Sequence, residues 1–396
     1  MASRKANITP SVLAWARATA GFSEVEAAEK LGVKPEKLLA WEAGDDQPTI
    51  KQLRRISQTY KRPVSVFYLS EEPAGFQVMR DLRRLPGTGL REYSPALVYE
   101  MRLAHQRREL AIELLEDIDE RPPQFDLKAK LGDDPELLGN SIRKAVQLTY
   151  AEQVKWGDPR IAFSAWRERI ERLGVLVFQL TRVETEEVSG FALAEDVLPV
   201  LAVNRKDVFS RRGFSLLHEF AHLMLRVSGA SDLDVDAARP PEDARIEVFC
   251  NQIAAAALMP REHFLAEAIL RDASAGAIEW ADGQIEDLAK LYGVSREAVV
   301  RRLLTFGRTT EVFYKRKRGQ YAVEHKARKE AERAKYVDKE FRTNPARDTV
   351  LDNGRPFVRL VLNNYYQDRI TLSEVSGYLG VRIKHLPRIE MAIGTG

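Results

Sequence analysis

The strongest constraint on this chain is a run of histidine and glutamate inside an apolar segment. The run is His218-Glu219-Phe220-Ala221-His222, and the positions that flank it from 214 to 225 are almost all apolar. If the segment is a helix, histidines four positions apart project from one face, so a single cation can bind both. Glu219 then lies beside the cation, where it can take a proton from an activated water. The run predicts a core helix with a metal and a base.

A second apolar segment offers a third ligand. Residues 245–260 are rich in alanine, carry Glu247 near their start and end at a proline. A catalytic zinc typically has three protein ligands and an open position for water, and two histidines with one glutamate are a known set. The alternative is a chance match on a helix with two surface histidines. Unpaired polar groups inside an apolar helix are costly, which favours the metal.

The segments F-S-L-L-H-E-F-A-H-L-M-L-R and E-V-F-C-N-Q-I-A-A-A-A-L-M-P resemble the ImmA/IrrE family of zinc metallopeptidases. The resemblance spans roughly residues 140 to 305 and shows no departure at the four chemical positions. It implies a Zn²⁺ ion held by His218, His222 and Glu247, with Glu219 as the general base. It also implies an endopeptidase that cleaves a repressor protein.

The N-terminal residues 9–73 read as a bundle of short helices. Ser23 with Glu26, and Thr49 with Gln52, have the spacing of capping boxes. A proline at position 35 suits the start of a third helix, which would end near Gly44. Short helices with glycine in the turn are typical of a helix-turn-helix. The run from Ala27 to Leu53 resembles the XRE (lambda-repressor-like) family.

The resemblance places Lys34, Glu36 and Lys37 on the helix that would face duplex DNA. Lysines can hold phosphates, but direct readout of bases favours arginine, asparagine and glutamine, which this face lacks. Two interpretations remain open. We favour DNA binding, and the alternative is a module that dimerises or docks a protein substrate.

Two further patterns concern the C-terminal half. The Gly-Val turn at 32–33 recurs at 293–294 and 380–381, each time after a helix-like run, so three helix-turn-helix-like units are predicted. A common packing solution without a DNA role is an equal or better interpretation of the later two. The four cations at 315–318 would be the best nonspecific nucleic-acid contact, although such runs are usually solvated.

Composition narrows the class of protein. A net charge of +3 gives no global argument for nucleic acid. The single cysteine, Cys250, excludes an internal disulfide and fits a reducing compartment. No apolar run is long enough to span a membrane, and the first residues lack a signal-peptide core. We therefore expect a cytoplasmic protein without a membrane partner.

The predicted fold is multidomain and mainly α. It comprises an all-α, lambda-repressor-like domain, a central α+β zincin-like peptidase domain whose zinc helix packs on a short sheet, and a helical C-terminal region. The predicted boundaries are residues 1–73, a helical connector at 74–135, the peptidase with a trailing helix-turn-helix-like unit at 136–310, a basic charged linker at 311–345, and a C-terminal helical unit at 346–396.

The predicted function is a DNA-binding transcriptional regulator with a zinc-dependent endopeptidase domain that cleaves a repressor protein in response to stress or mobile-element signals. The alternative is a repressor or antitoxin-like regulator whose zinc domain is structural or binds a partner. A homodimer is an option that the sequence leaves open.

Overall fold

The structure, a computed structural model, describes residues 5–73, 80–81, 93–231, 240–271, 278–336 and 344–394. The chain forms two compact units. The first comprises residues 1–79 and 86–106, and the second comprises residues 80–85 and 107–396. The run Leu85-Pro86-Gly87-Thr88-Gly89 predicts a turn at the boundary between domains, and it lies outside the described residues. Within the described ranges, no helix is both long and apolar enough to cross a membrane.

The first unit consists of short helices around an apolar core. They are α1 (Pro10–Ala18), α2 (Glu24–Leu31), α3 (Pro35–Ala43), α4 (Ile50–Tyr60), a 3-10 turn (Val64–Tyr68) and the start of α5 (Pro95–Glu116). Both predicted capping boxes are present, and Gly32 and Gly44 end their helices in the left-handed conformation. Trp41 and Tyr60 are fully buried in the core. The predicted helix-turn-helix arrangement is confirmed.

The second unit contains a five-stranded mixed sheet. Its strands are β1 (Arg80–Asp81), β2 (Leu176–Leu180), β3 (Gly190–Leu193), β4 (Val200–Asn204) and β5 (Gly229–Ser231), in the order β1-β5-β3-β4-β2. β3 is antiparallel to both of its neighbours, and the other two pairs are parallel. Runs rich in β-branched and aromatic residues predict three strands, at 175–180, 188–193 and 199–203, and all three are confirmed with ends shifted by one or two residues. β1 and β5 were not predicted, because neither has a strand-like run of its own.

The second unit also contains helices between positions 135 and 336. They are α6 (Pro135–Ala145), α7 (Tyr150–Gln153), α8 (Pro159–Glu171), α9 (Phe209–Leu225), α10 (Pro241–Leu258), α11 (Arg261–Leu265), α12 (Ala268–Arg271), α13 (Asp282–Tyr292), α14 (Arg296–Thr305) and α15 (Glu311–Tyr336). α9 packs on β3 and β4 with one face and on α8 and α10 with others, which explains why almost every residue from Gly213 to Met224 is buried. The prediction that the helix with both histidines packs on the sheet is confirmed.

α10 begins earlier than the sequence interpretation placed it. Pro240 and Pro241 start the helix, and Glu242 with Asp243 occupies its first turn, where carboxylates are favourable. Glu247 therefore lies in the second turn. This position places it beside the middle of α9, away from the helix end.

The C-terminal residues form α16 (Pro345–Asn353), α17 (Arg355–Tyr366), α18 (Leu372–Leu379), a 3-10 turn (Ile383–His385) and α19 (Leu386–Gly394). α16 packs against β2 of the sheet. Phe178 of β2 meets Phe357 edge to face, with ring centroids 5.9 Å apart. The helices predicted here are confirmed, and they extend the core of the second unit.

Candidate metal centre

Three side chains from two helices converge in the core of the second unit. His218 and His222 lie one turn apart on α9, and Glu247 faces them from α10. The two Nε2 atoms are 3.1 Å apart. His218 Nε2 is 3.2 Å from Glu247 Oε2, and His222 Nε2 is 3.2 Å from Glu247 Oε1. Among the described residues, this is the group of His, Cys, Asp and Glu atoms close enough to share one metal ion.

The hydrogen bonds around His218 favour a cation in this group. His218 Nδ1 donates its proton to Asn251 Oδ1 at 3.0 Å, because the amide oxygen can only accept. A neutral His218 then carries a lone pair on Nε2, which points at a carboxylate oxygen. Both oxygens of Glu247 are buried and have no hydrogen-bond donor. Lone pairs that face each other at this distance require a proton or a cation between them.

The spacing of these donors fits zinc. Zn²⁺ binds histidine nitrogen and carboxylate oxygen at about 2.0–2.2 Å in a tetrahedral arrangement, which puts neighbouring donor atoms about 3.3 Å apart. The observed separations of 3.1 and 3.2 Å are close to that value. With three protein donors, a tetrahedral ion keeps one position open, as catalytic zinc sites do.

The charges of His218, His222 and Glu247 shift one another's pKa values. Burial opposes charge on His218, but Glu247, Glu219 and Asn251 outweigh it and raise its pKa. Burial also opposes ionisation of Glu247, and the two histidines overcome it and lower the pKa of that carboxyl. Burial lowers the pKa of His222, which is thereby kept neutral and able to donate a lone pair.

Glu219 lies on the sheet side of α9, held close to β3. A Cβ atom added to Gly190 would lie 2.7 Å from the Ala202 carbonyl oxygen and 3.1 Å from Glu219 Oε1. Only glycine at this position lets the carboxylate approach the strand so closely. Glu219 is fully buried, and burial raises its pKa to about 8 in the metal-free protein. A carboxylate in such a setting is suited to exchange protons near neutral pH.

Ser231, at the end of β5, is a residue of the sheet that contacts the site. Its Oγ lies 3.3 Å from His222 Nε2, and its hydroxyl also lowers the pKa of Glu219 slightly against the effect of burial. Gly190 and Ser231 are direct partners in the β3–β5 pair. The strands β3 and β5 therefore form the wall of the site opposite α10.

Three polar side chains hold the C-terminal end of α10. Arg143 donates to the Ala257 carbonyl at 2.9 Å, Gln153 donates to the Leu258 carbonyl at 2.8 Å, and Arg302 donates to the Met259 carbonyl at 2.7 Å. Cations are favourable at helix C-termini, where carbonyl groups lack helical partners. These bonds fix the helix that carries Glu247.

Cys250 is also on α10 and is fully buried. Burial raises the pKa of its thiol well above the usual range, so the reactive thiolate is disfavoured. This environment favours a small core residue over a regulatory thiol.

The candidate DNA-binding residues lie together on the first unit. Lys34 is the N-cap residue of α3, and Glu36 and Lys37 are in its first turn, with all three side chains exposed. Lys37 Nζ lies 5.8 Å from the ring of Trp41. The structure brings these three residues to one exposed surface. In contrast, His218, His222 and Glu247, which we call the metal group, are buried.

The contacts of the second predicted helix-turn-helix-like unit favour a packing role over DNA binding. Ser295 is the N-cap residue of α14, and its side chain accepts a hydrogen bond from the Ala298 N–H. However, Arg302 on α14 is buried and is paired with Glu136 at 2.7 Å. The basic run is paired as well, since each of its cations has an acidic partner: Lys315 with Glu311, Arg316 with Glu279, Lys317 with Asp282, and Arg318 with Glu297. These contacts weaken the prediction that this run binds nucleic acid.

Sequence reasoning missed three residues of the site: Asn251, Ser231 and Gly190. The sequence could have predicted Asn251, because this residue follows Glu247 by four positions and so shares its helix face. Ser231 and Gly190 carry no local signal for a role beside Glu219. Their positions depend on pairing between distant strands.

Comparisons with known families agree with this arrangement. Residues 170–304 match the family described as IrrE N-terminal-like domain, a peptidase family, and residues 13–67 match the family described as helix-turn-helix. Neither curated proteins nor solved structures give a match. The chain therefore joins an XRE-type helix-turn-helix domain to a domain of the ImmA/IrrE peptidase family.

Proposed function

We propose that this protein is a DNA-binding regulator whose second unit is a zinc-dependent endopeptidase that cleaves a repressor protein. The observation that carries the proposal is the buried group of His218, His222 and Glu247, with Glu219 next to it. The match to a peptidase family supports the same conclusion. A bound zinc would polarise the scissile carbonyl. It would also lower the pKa of water, so that water loses a proton more readily and becomes a better nucleophile.

The chain's own residues divide the remaining work. Glu219 accepts the proton of the attacking water and returns it to the leaving amine. Asn251 fixes the tautomer of His218 so that Nε2 faces the ion. Gly190 leaves the space that Glu219 occupies.

The first unit would bind duplex DNA through α3. Lys34 and Lys37 would contact phosphates, with Glu36 between them at the groove, since all three are exposed at the start of the helix. Phosphate contacts by lysine position a domain without reading sequence. Affinity that falls steeply with salt would support this part of the proposal, and affinity that is indifferent to salt would contradict it.

The peptidase is tested by comparing wild type with Glu219→Gln. The substitution keeps the shape of the side chain and removes its ability to exchange a proton. Both proteins are loaded with zinc and incubated with purified XRE-type repressors encoded near the gene. We expect both to hold zinc and only wild type to cleave, with a rate difference of at least about 100-fold. Equal cleavage by both proteins would remove Glu219 from the mechanism, and no cleavage by zinc-loaded wild type would favour a structural zinc.

A further inference from the structure

The two edges of the sheet have different neighbours. At the β2 edge, Arg167 Nη1 and Gln179 Nε2 both donate to the carbonyl of Leu351 in α16, at 2.6 and 2.9 Å. Arg167 also donates to the carbonyl of Val177 on β2 itself. The C-terminal helices thus cover this edge, and an incoming peptide cannot pair with it.

The opposite side of the sheet leads to the metal group. β5 ends at Ser231, whose Oγ lies 3.3 Å from His222 Nε2. Ser231 also pairs with Gly190, the residue against which Glu219 packs. A peptide that pairs with β5 on the side away from β3 would therefore run alongside the candidate catalytic residues.

That edge is occupied by the chain itself. In the parallel pair of β1 with β5, Arg80 is the register partner of Gly229, and Asp81 that of Ala230. β1 belongs to the stretch between the helix-turn-helix match and the peptidase-family match, yet it is part of the second unit.

The metal group is closed in this arrangement. His218, Glu219 and His222 are 0% exposed and Glu247 is 1% exposed. A peptide carbonyl could not reach any of these atoms without a rearrangement. Both the occupied edge and the enclosed site thus describe a form that cannot take a substrate.

We propose that β1 is an intramolecular inhibitor that holds the β5 edge until an extended peptide replaces it. An unpaired strand edge binds extended chains through backbone hydrogen bonds, so β1 and a substrate would compete for the same groups. The inhibitory role rests on the proposed peptidase function, whereas the occupation of the edge does not. If the site is open for about a tenth of the time, apparent affinity for a peptide falls about tenfold.

The first test removes a backbone donor from β1. Arg80→Pro deletes the N–H at a paired position, and Glu71→Pro is the control, because Glu71 is exposed and outside the helices and strands. Three readouts are compared: amide hydrogen exchange of residues 228–231, the rate at which 4-(2-pyridylazo)resorcinol extracts zinc, and cleavage of a quenched-fluorescence random-hexapeptide library. We expect Arg80→Pro alone to increase all three, each by about tenfold.

The second test locks β1 in place. Register partners on neighbouring strands lie about 4.8 Å apart, within the range that a disulfide can bridge. Arg80→Cys with Gly229→Cys would form such a bridge, since the one native cysteine is buried, and Arg80→Cys alone is the control. We expect the oxidised pair to slow zinc extraction and cleavage below the wild-type rates, and a phosphine reductant to restore both. This arm decides the matter if the proline variant unfolds.

The outcomes separate the two proposals. Faster exchange at 228–231 with unchanged zinc extraction would overturn the inhibitory role of β1, and unchanged exchange would overturn the pairing itself. If zinc extraction follows the release of β1 but no variant cleaves the library or a repressor, control of access to the site stands and the peptidase function fails.

Discussion

The metal group and the exposed face of α3 are the two chemically marked regions of this chain, and they differ in what fixes them. His218, His222 and Glu247 are enclosed, and each is constrained by neighbours on another helix or strand. Lys34 and Lys37 are exposed at a helix start, with one lysine above a ring. In the enclosed region, the positions of the donor atoms indicate the ligand and its chemistry. On the exposed face, only the charge of the lysines indicates a ligand.

The largest effect is expected where the enclosed region has the least space. Gly190→Ala would place a methyl group 2.7 Å from the Ala202 carbonyl and 3.1 Å from Glu219 Oε1, so Glu219 must move. We expect a loss of peptidase activity of about 100-fold, similar to removal of a general base. Gly213→Ala is the matched control, because a Cβ there meets no atom within 4 Å. Equal activity in both variants would mean that the close contact with Gly190 does not position Glu219.

Removal of the metal should separate the two regions. A ligand that binds the folded state at a thousand times its Kd stabilises it by about 4 kcal/mol. We therefore expect a chelator to lower the unfolding temperature of the second unit and to leave that of the first unit unchanged. Differential scanning calorimetry checks this directly. A shift of the helix-turn-helix transition instead would contradict the assignment of the metal to the second unit.

The hydrogen bond of Asn251 to His218 should have a smaller effect. Its removal in Asn251→Ala frees the imidazole to rotate and to change tautomer, and substitutions of this kind weaken metal binding by about 10- to 100-fold. Competition with a chromophoric chelator measures the zinc Kd. Gln252→Ala is the control, since Gln252 is exposed on the same helix. If Asn251→Asp restores affinity, the acceptor is what matters. Unchanged affinity in Asn251→Ala would remove this residue from the site.

The smallest effect is expected on the exposed face. Lys34→Ala and Lys37→Ala should each weaken binding to duplex DNA by a similar factor for all sequences, and each should reduce the slope of log K against log salt by about 1. Fluorescence anisotropy at several salt concentrations measures both. Lys51→Ala on α4 serves as the control. A loss that depends on DNA sequence would mean that these lysines read bases.

The same contrast explains what the sequence could predict. The spacing of His218 and His222 and the apolar flanks determine a helix face, so the sequence alone could predict that the two histidines lie together. The capping boxes of Ser23 and Thr49 likewise act within four residues. Both kinds of signal are local, and the helix and both capping boxes are present in the structure.

Contacts between residues distant in the chain could not be predicted from the sequence. β1 and β5 have two and three residues, which is too short for an alternating pattern, and the partner of each is distant in the chain. The cation run at 315–318 shows the same limit. Its charge is visible in the sequence, whereas its acidic partners at 279, 282 and 297 come together only in the fold.

The most direct test of the account is the zinc stoichiometry of wild type and Glu247→Ala, with Glu242→Ala as control. Both substitutions remove a carboxylate from α10, but only Glu247 faces the histidines, since Glu242 is exposed in the first turn. We predict about one zinc per chain in wild type and in Glu242→Ala, and a loss of tight binding in Glu247→Ala. Undiminished zinc binding by Glu247→Ala, or none by wild type, would contradict the account.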